Sequence, residues 1–234
     1  MKIAEVEELI VQNGLSDELL EEFKLSLKRV PKILRCQHCY ITAYNLRIKK
    51  ASKKQKRKSF EDALRLIEYG IENHPERDLY LRLAYEHMGM AYGDAGEYEK
   101  AKVALQTACE IAGDSAAYTP YFAYLLVRME LPCSKFSYTP YLQELYDKML
   151  LADKFESERR VNIFNRSLTE IIIAEHNGDE KAKKLACERA FEALDIRNPN
   201  VLDNVFVRHK ALHLNTVSTT KEALKFLKKS SRKT

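Results

Sequence analysis

Apolar residues recur along this chain every three to four positions, the spacing of one helix face, and no stretch reads convincingly as the alternation of a half-buried strand. "SDELLEEFKLSLKRVP", residues 16–31, sets Leu19, Leu20, Phe23, Leu25 and Leu27 on one broad stripe. Acids fill its first turn and bases its last, the order that complements a helix dipole. Pro31 predicts a break or the first turn of the next helix. "KILRCQHCYITAYNLRIKK" predicts a helix that dissolves into "ASKKQKRK", after which Ser59 is expected to cap "FEDALRLIEYGIENH", closed off by Pro75. Further helices are expected over 78–94, 97–112, 115–130, 139–152, 156–177, 180–195, 199–214 and 220–229. Thr139-Pro140 and Asn198-Pro199 each place a capping residue before a proline at the first helical position. Short connections make consecutive helices antiparallel neighbours, so the pattern predicts an all-α chain of hairpins.

The most regular stretch is "AYEHMGMAYGDAGEYEKAKVALQTACEIAG", residues 84–113. With Arg82 as the first position of a unit of about 34 residues, Tyr85, Met88, Gly89 and Tyr92 fall on a first helix. Gly96 and Tyr98 fall at the turn, and Ala101, Leu105 and Ala108 on a second helix. Where two helices cross closely only Gly or Ala fits, so Gly89 is expected opposite Ala101. Gly96 is expected to end the first helix at positive φ. In these residues the stretch resembles the tetratricopeptide repeat family, although Gly113 stands where that family usually has proline.

The resemblance extends upstream through Phe60, Ala63, Ile67, Gly70 and Pro75, which keep the family's intervals. Their first helix would be Cys36 to Ile48, displaced by a basic insertion at 49–58. Downstream, Gly178, Ala182, Ala186 and Ala190 run about one place out of register. The expected organisation is N-terminal helices over 1–35, the best-matched repeats over 36–113, and degenerate helical repeats with a C-terminal capping helix over 114–234. The alternative for the last part is an unrelated helical bundle. The resemblance implies a right-handed superhelical stack of antiparallel hairpins, a partly degenerate solenoid.

Such a stack implies a groove lined by first helices and, by resemblance, a protein or peptide held there. On the best-matched repeat the groove positions would be Leu83, Glu86, Met90 and Asp94. The next first helix would offer Tyr121, Tyr124 and Arg128, with Tyr124 expected in the groove and Tyr121 balanced between groove and core. Tyr and Arg give large contact area and hydrogen bonds at modest entropic cost. Between 156 and 177, Val161, Phe164, Leu168 and Ile171 form one face, and Asn162, Asn165, Arg166 and Thr169 the opposite one. An Asn/Arg/Thr face can hydrogen-bond a peptide backbone, although an ordinary solvated face accounts for it too. Glu86 and Met90 stand where some family members hold a peptide's terminal carboxylate with Lys and Asn, and an acid repels that group.

Charge changes the picture locally. The net charge is +5, yet from Phe23 to Phe60 there is no acid among thirteen bases, leaving 26 basic against 34 acidic residues elsewhere. Lys49, Lys50, Lys53, Lys54, Lys56, Arg57 and Lys58 form its densest run, expected as a solvated loop and offering contacts to phosphates or the address of a nuclear protein. Tyr40 and Tyr44 would add stacking surface. The same run is the basis of an alternative function, a nucleic-acid-associated factor.

Little else points to chemistry. Cys36 and Cys39 make a CxxC without a second ligand pair nearby; His209 and His213 are about 170 residues away, so both cysteines are expected as small apolar residues. Cys109, Cys133 and Cys187 are expected in the core. Five cysteines, an odd number, read as reduced thiols in the cytoplasm or nucleus. No secretory leader or membrane span is expected, and no nucleophile elbow, phosphate loop or HExxH motif is read in these residues. The expectation is a non-catalytic adaptor or sensor with no cofactor and no metal. A third alternative, an immunity or inhibitor-type protein blocking one target, would have the same kind of sequence.

Overall fold

The structure, a computed structural model, describes residues 1–48, 53–113, 118–151, 160–194 and 216–232, with side chains at these except 53–57, 118, 160, 194, 216–221 and 224. Eleven helices and no strand occur among the described residues. They are α1 (Ile3–Asn13), α2 (Asp17–Leu27), α3 (Lys32–Ile48), α4 (Lys53–Asn73), α5 (Asp78–Ala95) and α6 (Tyr98–Ala112). After these come α7 (Tyr118–Cys133), α8 (Pro140–Met149), α9 (Arg160–Asn177), α10 (Glu180–Leu194) and α11 (Thr216–Ser231). The expected helix at 199–214, with its Asn198-Pro199 start, lies outside the described residues. The chain divides into two compact units, Met1–Gly113 and Asp114–Thr234.

In the first unit helices pack in consecutive pairs, and the leading helix of a pair also packs on the pair before it. α5 lies against α6, and also against both α3 and α4; α1 lies against α2 and α3. The close crossing expected at Gly89 is present. A β-carbon there would sit 2.6 Å from Leu105 Cγ and 3.1 Å from the Ala101 carbonyl oxygen. A second crossing joins α3 to α4, where a β-carbon on Gly70 would come within 2.7 Å of Cys39 Cβ. Gly96 ends α5 at φ 82°, a left-handed conformation suited to glycine, and Glu97 N–H returns to the Tyr92 carbonyl at 2.9 Å. Val6, Ile10, Phe23, Leu27, Leu46 and Leu66 are among the side chains that fill the core between α1, α2, α3 and α4.

One element departs from its sequence reading. Ser59 does not cap a helix; it lies inside α4, which begins at Lys53 and runs on to Asn73. Lys, Gln and Arg are good helix formers, and the apolar stripe of Phe60, Ala63, Leu66 and Ile67 is buried against the core. That burial outweighs an N-terminal turn carrying bases and no acid, which opposes the helix dipole.

The second unit repeats the arrangement. α7 pairs with α8 and α9 with α10, while α9 also lies against α7 and α8, and α11 against α10 and α9. Thr139 caps α8 as expected, accepting from Leu142 N–H at 3.0 Å, with Pro140 in the first turn. Gly178 turns the chain at φ 71°, and Ala186, Cys187 and Ala190 are buried on α10, whereas Cys109 and Cys133 are only half-buried. No helix among the described residues is long and apolar enough to cross a membrane.

Candidate functional site

The leading helices α3 and α5 run parallel, because their contacts advance together along both, from Cys36 and Tyr80 through Tyr40 and His87 to Arg47 and Asp94. Arg47 Nη2 is 2.5 Å from Asp94 Oδ2, 47 residues on, and Tyr40 stacks on His87, again 47 on, with ring centroids 5.2 Å apart. Tyr40, Tyr44 and Arg47 follow each other at i, i+4 and i+7 on α3. Facing them on α5 are His87 and Asp94, one ring of spacing and one charge. Tyr44 meets the His87 ring edge-on at 5.3 Å. Arg82 and Glu86 pair along α5 at 3.1 Å.

This face is largely buried. Glu86 and Asp94, expected as groove positions, are 6% and 4% exposed and each is held by an arginine, while Met90 and Leu83 are half-buried. Burial, then the Arg47 and Arg82 charges, lower His87 to about 3, so its ring is neutral over the physiological range. Arg47 Nε and Nη1 and His87 Nδ1 are buried without a hydrogen-bond partner. Sequence reasoning had placed Tyr40, Tyr44 and Arg47 in a phosphate-facing stretch and had not singled out His87. The signal that leads to them is the tyrosine–tyrosine–arginine spacing on α3 with an acid on the next leading helix.

In the second unit the structure brings Tyr124 of α7 near Arg166 of α9, close enough for their charges to interact. Tyr124 is 2% exposed, so it is part of the interior and not an open groove position as expected; Tyr121 and Arg128 are half-buried. On α9, Phe164, Leu168 and Ile171 are buried, but so are Asn162 and Thr169 of the opposite face. The helix is enclosed on both sides by its neighbours, which is why the polar face is not solvated. Thr169 Oγ1 donates back to the Asn165 carbonyl at 2.9 Å. Asn165 and Arg166 stay half-buried. Arg166 Nε donates to Glu170 Oε1 at 3.0 Å, as does Tyr146 OH of α8, while Arg189 of α10 sits 2.6 Å from Glu170 Oε2. Glu170, unmarked in the sequence, therefore joins three helices.

The described bases of the acid-free stretch fall at both ends of α3. Lys24, Lys28, Arg29, Lys32 and Arg35 gather where α2 ends and α3 begins, whereas α4 starts at the far end of α3, about 25 Å away at 1.5 Å per residue. At the first end Arg35 donates to the Lys28 and Val30 carbonyls, Lys24 pairs with Glu21 at 2.6 Å and stands over the Tyr69 ring, and the terminal amine pairs with Glu22. Acids from outside the stretch thus offset part of it. At the second end Lys58 is exposed; Lys49 and Lys50, and the side chains of Lys53, Lys54, Lys56 and Arg57, lie outside the described residues.

No group of three or more His, Cys, Asp or Glu among the described residues could hold a metal ion. Cys36 and Cys39 are buried on α3 against Gly70, and burial raises the Cys36 thiol to about 11 and Cys39 further, so neither is a ready nucleophile. His209 and His213 lie outside the described residues. Comparison with protein-family models, with curated proteins and with solved structures finds no match to this chain.

Proposed function

We propose that this chain is a non-catalytic adaptor or sensor built of tetratricopeptide-like hairpins, and that it binds a protein or peptide segment on a face that the leading helices make within a unit. The observation that carries the reading is the parallel packing of α3 and α5, whose contacting residues lie 43 to 47 apart in sequence. Parallel leading helices are the way hairpins within one unit make a common face. The offset exceeds a period of about 34 residues by roughly the length of the basic insertion, which is how a repeat with an inserted segment would sit. Tyr121, Arg128, Asn165 and Arg166 on α7 and α9 supply half-buried aromatic, cationic and amide groups of the kind enriched where partners dock.

Capture from cell extract tests this, with immobilised wild-type protein beside an Arg128→Ala/Asn165→Ala variant. A protein retained by wild type and reduced at least tenfold by the variant, at unchanged melting temperature, is the expected result. Equal retention by both, or retention only of RNA or DNA released by raised salt, would overturn the reading.

A further inference from the structure

Many surface lysines of this chain have an acid beside them. Lys24 pairs with Glu21, Lys100 with Glu97, Lys102 with Glu99 and Lys148 with Glu144, each within about one helical turn. α11 differs. Lys225, Lys228 and Lys229, with Arg232 just past its end, are all exposed, and none forms an ion pair with a described residue. Glu222, the one acid of the helix, pairs with none of them. The four bases follow one another at i, i+3, i+4 and i+7. With about 3.6 residues per turn they share an arc of about 100° and form a row about 10 Å long.

The opposite side of α11 is closed. Ala223, Leu227 and Ser230 are buried there, where the helix lies against α10 and α9. On one flank Phe226 is half-buried and stacks on Phe136 of the α7–α8 connection, with ring centroids 5.4 Å apart. The docked face therefore fixes the cationic row outward. Cations near a helix C-terminus complement its dipole, but that effect fades within the last turn and Lys225 lies ahead of it.

The arrangement says which polyanion fits. A helix seated in a nucleic-acid groove has phosphates along both flanks, whereas the flanks of α11 carry Glu222 and Phe226 on one side and Ser231 on the other. A flat surface touches only the crest, where all four cations stand. Each base brought to an anionic leaflet tightens binding about fivefold, so a row of four suffices where one does not. With its apolar face already docked, α11 offers charge and no wedge for the hydrocarbon.

We propose that α11 docks the second unit on a bilayer surface of anionic headgroups, with Lys225, Lys228, Lys229 and Arg232 against the phosphates and carboxylates of phosphatidylserine. The attachment is peripheral and electrostatic. It is independent of the partner-binding reading, which uses the leading helices.

The test is co-sedimentation of the full chain with phosphatidylcholine vesicles, with and without phosphatidylserine, at low and raised salt. One variant changes Lys225, Lys228, Lys229 and Arg232 to Gln. A second changes Lys100, Lys102, Lys148 and Lys181 to Gln, removing the same charge from other helices. Melting temperatures confirm that both fold. Binding to the phosphatidylserine vesicles alone is expected, released by salt, weakened at least tenfold in the first variant and less than threefold in the second. No binding, equal binding to phosphatidylcholine alone, or equal loss in the two variants would overturn the proposal. So would binding to duplex DNA or RNA that the first variant abolishes, with none to vesicles, which would assign the row to a nucleic-acid backbone.

Discussion

Gly89 and Leu105 leave no room for a single added methyl group: a β-carbon on Gly89 would lie 2.6 Å from Leu105 Cγ. An alanine in mid-helix normally gains about 1 kcal/mol over glycine. Here overpacking, at about 1–3 kcal/mol, is expected to reverse the sign. Gly89→Ala should therefore lower the urea midpoint, and should lower it less in a Leu105→Ala background, where the added methyl group has room. Gly70→Ala should cost more than Gly89→Ala, because the atom it meets, Cys39 Cβ at 2.7 Å, is fixed to the backbone. A stabilised Gly89→Ala protein would show that the α5–α6 crossing is looser than described.

The small-residue spacing of the 84–113 stretch made this crossing legible, because glycine has few other reasons to sit inside a helix. Helix type was legible almost throughout for the same reason, a 3.6-residue apolar period. Ser59 was misread because a good capping residue sat beside a run of helix formers, and core burial carried the helix through it. The site was less legible. Tyr124, Asn162, Glu86 and Asp94 look like surface residues one helix at a time, and only packing of a second leading helix buries them. The Arg47–Asp94 pair spans 47 residues, and its one local trace is the tyrosine–tyrosine–arginine spacing on α3.

Tyr124 and Arg128, one turn apart on α7, should separate stability from binding. Tyr124→Ala removes a 2% exposed ring and is expected to cost about 3–5 kcal/mol, as for other large aromatic truncations. Arg128→Ala, at a half-buried position, should change stability by less than about 1 kcal/mol. Thermal melts of the two variants check this, and similar melting temperatures would contradict the placement of Tyr124.

His87 should make stability fall in mild acid. Its folded value of about 3 lies below the ordinary 6.5, so the unfolded chain takes up a proton between those pH values that the folded chain refuses. The contribution is complete above pH 6.5 and is lost as pH falls, by about 2 kcal/mol between pH 7 and pH 5. His87→Phe keeps the stacked ring and should flatten the slope of unfolding free energy over that range. An unchanged slope would mean that the imidazole is open to water.

Asp62 ties the start of the α1–α2 connection to α4. Its Oδ2 accepts from the buried Leu15 N–H at 3.0 Å. Burial raises its pKa, with the Leu15 N–H, Lys58 and Arg65 pulling the other way. A carboxyl raised on folding contributes stability that is present below the unfolded value of 3.8 and lost as pH rises through the folded value. Asp62→Ala strands the Leu15 N–H and should cost about 1–3 kcal/mol at pH 7. Asp62→Asn keeps an acceptor without the charge, and should cost less at pH 7 while removing this pH dependence. Equal losses at pH 7 in chemical denaturation would argue against the Leu15 bond.

The side-by-side packing of α3 and α5 is the claim on which the shared face depends, and a double-mutant cycle on Arg47 and Asp94 tests it most directly. Asp94 has other interactions, and the cycle cancels them, isolating what it shares with Arg47. Arg47→Ala, Asp94→Ala and the double variant are unfolded in urea at one pH and salt concentration. A coupling of about 1.5–3 kcal/mol is the predicted result. Losses that add to within about 0.5 kcal/mol would mean that the two helices do not meet there.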